Sequence, residues 1–242
     1  MMLVKRVEML RDSRSKQFIC KEISLEPTRK LGYFCGLTLG DAALFKTKGR
    51  NYGVRLESTD NELAVCFYDA VKKAFPNLNP FFRTRQKIRY FPQCDKKYDS
   101  KTILVTVYSK RLYEALRPFK GKDFHWTIPT FLPSVESKIG FLQGIFDAEG
   151  SIHIPNGRKR KLPTATLYSK HRDNLWQVKI LLNKFGIRSS LPKNKLIRCC
   201  LELRGIDTVT VFKTIIGFNL PRKRSKLASY CGSKEFEELK GE

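Results

Sequence analysis

Histidine and paired cysteines, which hold most structural zinc ions, are scarce in this 242-residue sequence. Its three histidines are His125, His153 and His171, and their spacing matches no ligand set. None of its seven cysteines forms a C-x-x-C pair. This pattern argues against a zinc site, a histidine nucleophile and a disulfide framework, and it favours a reducing, intracellular compartment.

Long apolar stretches are also missing from the sequence. No apolar run reaches the roughly 20 residues that a helix needs to span a bilayer. The first residues, MMLVKRVEML, lack the apolar core of a secretory signal. We therefore expect neither a membrane segment nor secretion.

Acidic residues are few relative to basic ones. Aspartate and glutamate number 23 against 47 lysines and arginines, which gives a formal net charge of +24. This excess is larger than solubility requires. It indicates a polyanionic partner, nucleic acid rather than a membrane surface.

Two separate stretches carry small residues at four-residue spacing. They are LGYFCGLTLGDA, from Leu31 to Ala42, and IGFLQGIFDAEG, from Ile139 to Gly150. Residues four apart lie on one face of a helix, and each glycine inside a helix costs roughly 1 kcal/mol relative to alanine. Something must therefore approach that face closely. We predict that the two helices pack against each other through these positions: Gly32, Gly36, Gly40, Gly140, Gly144 and Ala148.

An acid follows each of these small-residue ridges, Asp41 in the first and Glu149 in the second. Packing the ridges together would bring the two carboxylates side by side at the C-terminal ends of the helices. Their mutual repulsion and the helix dipoles would favour a bound cation. Asp147 falls on another helix face, and Leu39 occupies its place in the first stretch, so a structural role is expected for it.

The order of predicted elements repeats after each stretch. Both halves read as helix, two strands, helix, two strands, helix, which predicts an α+β protein of two pseudo-symmetric αββαββα repeats. The predicted parts are an N-terminal extension (1–30, an arm or an extra helix), a first repeat (31–119), a linker (120–137), a second repeat (138–220) and a C-terminal tail (221–242).

The segments FCGLTLGDA and LQGIFDAEG resemble the two motifs of a LAGLIDADG homing endonuclease of the monomeric, two-motif type. This resemblance implies motif helices at a pseudo-twofold interface and two antiparallel sheets laid as a saddle over double-stranded DNA. It implies site-specific double-strand cleavage of a long target, leaving short 3′ overhangs. It also implies Mg²⁺, with Mn²⁺ as another possible ion, held by Asp41 and Glu149 together with the adjoining Gly40 and Ala148.

The resemblance extends to basic and polar residues near the scissile phosphates. The family often places a lysine or arginine after the third helix of each repeat. Lys122 and Arg222 are the best matches for these catalytic residues, and Lys120 and Arg224 are close alternatives. The family often has glutamine where this chain has Ser58 and Ser169. These serines either act through a bridging water or simply end their strands.

Cations alternate with other residues in FFRTRQKIRYF, which places them on one face of a strand. Such a strand suits the major groove, where arginine and lysine reach guanine. A row of charges protecting an edge strand is the alternative interpretation. The strand cations are Arg83, Arg85, Lys87 and Arg89. Further predicted DNA contacts are Lys46, Lys48, Arg50, Arg55, Arg158, Lys159, Arg160, Lys193, Lys195, Arg198 and Arg204.

The preferred hypothesis is a free-standing, intron-encoded endonuclease that acts as a monomer, since no splicing-junction features of an intein are visible. One alternative is an RNA-splicing maturase on the same fold. Another is a DNA-binding regulator that does not cleave, although the presence of both acids argues against it.

Overall fold

The computed structural model describes residues 6–11, 18–47, 51–91, 96–153, 162–192 and 199–238, with side chains over 23–47, 51–86, 101–153, 162–192 and 199–229. Among these residues no helix combines the length and the apolar character that crossing a bilayer would require. Sequence expectations that fall on other residues lie outside the described part of the chain.

The described part of the chain begins with an antiparallel hairpin of β1 (Arg6–Arg11) and β2 (Phe18–Ile23). Where one expectation for residues 1–30 was an extra helix, the structure has this hairpin instead. Ile23, at the end of β2, is buried in the hydrophobic core. The N-terminal extension is thereby attached to the body of the protein.

The first repeat has the predicted order of elements. These are α1 (Arg29–Gly40), β3 (Ala43–Lys46), β4 (Tyr52–Ser58), α2 (Asn61–Ala74), β5 (Phe81–Phe91), β6 (Lys96–Tyr108) and α3 (Lys110–Leu116). Side-chain caps begin its helices: Thr28 accepts from the N–H of Leu31 in α1, and Asp60 accepts from that of Leu63 in α2. A short 3₁₀ turn, Arg117–Phe119, follows α3.

The four strands of the first repeat form an antiparallel sheet in the order β3-β4-β6-β5. Alternate residues of β4 and β6, including Val54, Leu56, Val105 and Val107, are fully buried and form the core face. Arg55 of β4 and its partner on β6, Thr106, lie on the opposite face. Period-two alternation thus separates a face that packs on helices from a face that lies open.

The second repeat follows the linker. Its elements are α4 (Val135–Glu149), β7 (Gly150–His153), β8 (Thr164–Ser169), α5 (Arg172–Lys184), β9 (Cys199–Arg204) and α6 (Ile206–Ile215). The strands form an antiparallel sheet in the order β7-β8-β9. Leu167, Leu201 and Leu203 are buried on its core face.

The second sheet differs from its prediction at one strand. Two strands were predicted after α5, and before β9 the described residues contribute only a bridge between Ser190 and Glu202 of β9. Residues 193–198 lie outside the described chain. Ser190 therefore marks, beside β9, the place that β5 occupies beside β6 in the first sheet.

A long helix, α7 (Pro221–Glu238), occupies most of the segment expected as a C-terminal tail. Pro221 suits the first helical position, where no backbone N–H donor is needed. Leu220, Lys223 and Leu227 are buried, which gives the start of this helix an inner face. The helix is thus part of the fold rather than an appendage.

Candidate active site at the ends of the paired helices

Helices α1 and α4 pack backbone to backbone through their small residues. A Cβ atom built on Gly36 would lie 2.9 Å from the Cα of Gly144, and one built on Gly144 would lie 3.0 Å from the Cα of Gly36. Real Cβ atoms do not approach other atoms so closely, so only glycine fits at either position. The predicted interface between the two motif helices is confirmed.

This packing brings the two acids to the same end of the helix pair. Asp41 is the C-cap residue of α1, and its N–H donates to the carbonyl of Leu37 at 3.0 Å. Glu149 is the last residue of α4. A Cβ on Gly40 would lie only 3.5 Å from the Cγ of Glu149. Glu149 therefore lies directly beside the turn that carries Asp41.

The surroundings of Asp41 disfavour its charge. Its side chain reaches solvent, but the protein atoms crowded around it desolvate the carboxylate and raise its pKa above the ordinary value. Lys223 and Lys120 oppose this shift, and the nearby carboxylate of Asp60 adds to it. A further cation beside Asp41 would therefore be stabilising.

Lys120 and Lys223 occupy matching places at the ends of the two helices. The Nζ of Lys120 donates to the carbonyls of Thr38 at 3.0 Å and Leu39 at 2.9 Å, the last-turn carbonyls of α1. The Nζ of Lys223 donates to those of Phe146 at 3.1 Å and Asp147 at 2.6 Å in α4. When the two motifs are superposed on their glycines, these carbonyl pairs correspond. The two ammonium groups are thus related by the pseudo-symmetry of the repeats.

Both lysines are held in a desolvated environment. Desolvation lowers the pKa of Lys120 to about 8, although Asp41 and Glu149 act to raise it. Desolvation likewise lowers the pKa of Lys223 to about 8, against the raising effects of Asp147 and Asp41. The carboxylates and the helix C-termini keep these desolvated amines close to their charged form near neutral pH.

The two basic residues preferred from sequence lie elsewhere. Lys122 is an exposed residue whose carbonyl accepts from the N–H of His125 in a tight turn. The guanidinium of Arg222 is exposed and forms ion pairs with Asp60 and, at 3.8 Å, with Glu62 at the start of α2. Neither residue makes the contact with a motif helix that Lys120 and Lys223 make. Arg224, the other alternative, is exposed on α7.

Lys223 is not among the basic residues predicted from the sequence. The register after the third helix differs between the repeats, because Lys120 directly follows Phe119 whereas Lys223 lies five residues after Phe218. One signal was present in the sequence: Lys223 and Leu227 lie four residues apart, on one face of a helix that begins with Pro221. A cation on a buried face is unusual and marks a position with a specific partner.

Asp147 has a structural environment, as expected. Its Oδ2 accepts from the hydroxyl of Tyr33 at 2.8 Å and from the backbone N–H groups of Asn219 and Leu220 at 3.0 and 3.1 Å. Desolvation raises the pKa of this carboxyl, and these hydrogen bonds act against the rise. Asp147 thereby joins the two motif helices to the segment that leads into α7 and Lys223.

The two matched serines have the same local role. Ser58 accepts from the N–H of Asp60 at 3.0 Å, and Ser169 accepts from the N–H of His171 at 3.2 Å. Each hydroxyl therefore closes a turn between a strand and the following helix. Of the two alternatives for these residues, this geometry favours the one in which each serine ends its strand.

Part of the predicted DNA-contact set lies on the open face of the first sheet. Arg83 and Arg85 are exposed on the edge strand β5, and their cross-strand partners put them on the same face as Arg55. Arg55 donates to Thr106 Oγ1 at 3.2 Å and lies over the ring of Phe45. These arginines form one basic strip, and we call the strip of Arg55, Arg83 and Arg85 the arginine face.

Other predicted contacts have different placements. Lys46 pairs with Tyr52, whose ring packs on Tyr113 of α3, so Lys46 belongs to the helix side of the sheet rather than to the arginine face. Arg204 is exposed at the end of β9 and pairs with Glu202 at 2.8 Å. Lys87 and Arg89 continue β5, but their side chains lie outside the described part. Outside the described residues altogether are Lys48, Arg50, Arg158, Lys159, Arg160, Lys193, Lys195 and Arg198.

A cleft of about 410 Å³ opens beside Glu149. Gly40, Glu149, Phe124, Tyr168 and Lys170 are among the residues that line it. The helix ends that carry the acids are thus accessible from outside.

The donor set at the helix ends is small. No group of three or more histidine, cysteine or acidic side chains able to hold a metal occurs within the described residues. Asp41 and Glu149 supply two hard oxygen ligands. Mg²⁺ is commonly held by one or two carboxylates while waters and substrate phosphates complete its shell. The site therefore fits such an ion and does not fit a metal enclosed by protein ligands.

The fold and site define an α+β protein of two pseudo-symmetric repeats, with paired glycine-ridged helices at their interface. Residues 136–209 match the family model of the LAGLIDADG-like domain. The structure of mesophilic variants of the homing endonuclease I-DmoI is similar with a TM-score of 0.53 and 19% identity, over 84% of this chain and 99% of that one. The homing endonuclease I-WcaI bound to its DNA recognition sequence is similar with a TM-score of 0.55 and 14% identity, over 81% of this chain and 85% of that one.

Two curated relatives match the sequence at lower coverage of their own length. An uncharacterised protein of Methanocaldococcus jannaschii is 24% identical over 71% of this chain and 60% of that protein. A probable cell division protein WhiA of Halalkalibacterium halodurans is 25% identical over 73% of this chain and 55% of that protein. This chain thus matches little more than half of each relative.

These findings confirm the predicted fold class and the resemblance to LAGLIDADG homing endonucleases of the single-chain, two-motif type.

Proposed function

We propose that this protein is a site-specific endonuclease that cuts both strands of a long duplex DNA target by metal-assisted hydrolysis of phosphodiester bonds. The observation that carries this proposal is the position of Asp41 and Glu149, which close packing of α1 on α4 places beside each other at one accessible end. Two adjacent acids in an otherwise very basic protein are expected to bind a cation.

The acids and their adjoining residues Gly40 and Ala148 are the groups that would hold Mg²⁺ or Mn²⁺. When bound, a divalent ion supplies an activated water and charge neutralisation at the leaving 3′ oxygen. The protein's own part is to fix the two carboxylates in place. The raised pKa of Asp41 supports this role, because a cation would offset the cost of desolvating its carboxylate.

Lys120 and Lys223 are proposed as the basic residues of the two centres, in preference to Lys122 and Arg222. Each ammonium is fixed by two carbonyls at the end of a motif helix, and Lys120 is close enough to Asp41 and Glu149 for both to act on its pKa. A fixed cation stabilises negative charge that develops on a phosphate without reorganising during the reaction.

The sheet faces are proposed as the DNA-binding surface. The arginine face presents three guanidinium groups on a twisted antiparallel sheet, which fits the major groove. Some of these side chains would read guanine, and others would contact phosphate and fix the register. The net charge of +24 supports strong, salt-dependent association with a polyanion.

A DNA-binding protein that does not cleave is the second candidate. It is favoured by one observation, the relative named a probable cell division protein rather than a nuclease. The two candidates share the DNA surface and differ at the acids, which a protein that only binds DNA would not need.

Selection from a randomised duplex library separates these candidates. The protein is first incubated with the library in EDTA and bound duplexes are recovered; Mg²⁺ is then added and cut ends are sequenced. The proposal expects one long enriched site that is cut on both strands only after Mg²⁺ is added. Enrichment without cutting would favour the second candidate, and the absence of any enriched site would exclude both.

A further inference from the structure

One exposed aromatic residue lies beside the candidate centre and has no part in the account above. Phe124 is 68% exposed, more than any other large hydrophobic side chain among the described residues. It lines the same cleft as Glu149 and Gly40. A phenylalanine in water at the mouth of a site needs an explanation.

The backbone at this residue has an unusual conformation. Asp123 and Phe124 have φ angles of 53° and 66°, and they are the two non-glycine residues with positive φ in the described chain. They form the tip of a tight hairpin that Lys120 and Trp126 close by an antiparallel bridge. Conformations that L-residues rarely adopt persist where the surrounding structure imposes them, and they cluster at functional sites.

Side chains at the start of α5 fix this tip. Asn174, which is fully buried, donates from Nδ2 to the carbonyl of Phe124 at 2.9 Å and accepts from the N–H of Trp126 at 3.2 Å. The Nε2 of His171 lies 2.7 Å from the carbonyl of Asp123. Both strained residues thus have their carbonyls anchored to the second repeat, and the exposed ring is held on a rigid support.

One strand of this hairpin begins at a proposed centre. Lys120, its first residue, donates to the end of α1, while the buried ring of Trp126 packs against Phe141 of α4 at 5.8 Å. The hairpin therefore places Phe124 at a fixed offset from both motif helices. DNA that reaches Glu149 must lie close to the Phe124 ring.

We propose that Phe124 is a specificity-determining residue that packs as an apolar wedge against the base-pair step next to the bond over Glu149. Apolar side chains that insert at a base step partly unstack it and favour steps that deform easily. Phe124 thereby makes the protein select deformable steps at positions that no hydrogen bond reads. This inference rests on the proposed binding of duplex DNA and is independent of cleavage.

The test uses the full chain and the duplex recovered by library selection, with 2-aminopurine placed in turn at each central position. Binding and fluorescence are measured in EDTA for wild type, Phe124→Ala and Phe124→Leu. Trp176→Ala, which removes a half-exposed ring of α5 away from the cleft, is the control. Because Phe124 is exposed, its substitution should leave the melting temperature unchanged, and this is measured alongside.

Binding of wild type is expected to raise the 2-aminopurine fluorescence of the duplex at one step. Phe124→Leu should retain part of this rise, and Phe124→Ala should lose it. The preference of wild type for a flexible over a stiff step there should fall by about tenfold in Phe124→Ala. Trp176→Ala should match wild type in both measurements. If wild type binds its selected duplex and Phe124→Ala keeps the same fluorescence and preference, the inference is wrong while the proposed function stands. If wild type selects no duplex at all, the proposed function itself fails.

Discussion

Two ammonium groups close the C-terminal ends of the paired helices, and this is the feature of single residues with the clearest chemical consequence. Lys120 and Lys223 each donate to two carbonyls in the last turn of a motif helix. They also lie near Asp41, whose pKa both lower. Each lysine thus caps a helix, offsets the negative charge of an acid and, as proposed, stabilises negative charge on the reacting phosphate.

The first prediction concerns these lysines in cleavage. Lys120→Met and Lys223→Met are each expected to slow single-turnover cleavage of the selected duplex by about a hundredfold or more, because a preorganised charge is lost from the centre. Lys122→Met removes the same charge from an exposed turn and is the matched control. A large defect in Lys122→Met with normal rates in the other two would return the role to the residue preferred from sequence.

The second prediction concerns pH and stability. The pKa of Lys223 is about 8 in the folded protein and 10.5 ordinarily, so between these values the unfolded chain binds more protons than the folded one. Folding stability contributed by Lys223 therefore rises with pH from about 8 to 10.5 and is constant below that window. Relative to Lys223→Met, wild type should gain up to about 1.4 kcal/mol per pH unit across it. Urea unfolding at pH 7.5, 8.5 and 9.5 measures this, and a difference independent of pH would refute the shift.

At the scale of elements, the contact between α1 and α4 decides the geometry of the site. Its glycines were predictable from sequence, since glycine at four-residue spacing in an apolar helix has a cost that only close packing explains. The order of strands and helices was predictable from the periodicity of the apolar residues and from the turn residues between elements. These are local patterns, and they carry their own physical signal.

The third prediction tests that contact. Gly36→Ala and Gly144→Ala should lower the free energy of unfolding by about 1–3 kcal/mol or more, although alanine favours a helix, because each new Cβ would meet backbone of the other helix. Gly121→Ala, whose Cβ would meet His125 atoms at 3.4 Å, is the control and should change stability little. Thermal unfolding of the three variants gives the comparison. Equal melting temperatures would contradict the close contact.

The fourth prediction tests the arginine face against charge alone. Arg85→Ala should relax base preference at a defined position of one half-site, with discrimination there falling by roughly 1–3 kcal/mol. Lys46→Ala removes the same charge from the helix side of the same sheet. It should weaken binding to all sequences alike. The measurement is the affinity for a library of singly substituted duplexes at fixed salt; uniform weakening by Arg85→Ala would make that residue a phosphate contact.

At the scale of the whole molecule, the relation between the repeats explains both the success and the failure of sequence reasoning. Duplicated motifs revealed Asp41 and Glu149, because each acid follows a ridge that the chain repeats. Lys223 was missed because residues 219–222 have no counterpart before Lys120, so pattern matching lost the register there. The side of the sheet on which Lys46 lies could not be predicted from the sequence. It depends on the pairing of β3 with β4, which no local pattern fixes.

The two repeats also differ in ways that only the assembled chain shows. The segment before α7 is tied to the second motif helix through Asp147, while Arg222 pairs with Asp60 and Glu62 of the first repeat. In the linker, a hairpin tip is tied to α5 through His171 and Asn174. The segment after the first repeat thus contacts the second repeat, and the segment after the second repeat contacts both. These contacts join the two halves into a single unit.

The central claim is that Asp41 and Glu149 make this fold a nuclease, and one measurement tests it most directly. Single-turnover cleavage of the selected duplex in Mg²⁺ and its affinity in EDTA are determined for wild type, Asp41→Asn and Glu149→Gln, with Asp69→Asn on the exposed side of α2 as control. Both site variants are expected to lose at least about a hundredfold in rate while their affinity stays equal or rises, because a negative charge facing phosphates is removed. Cleavage by either variant at the wild-type rate would contradict the claim.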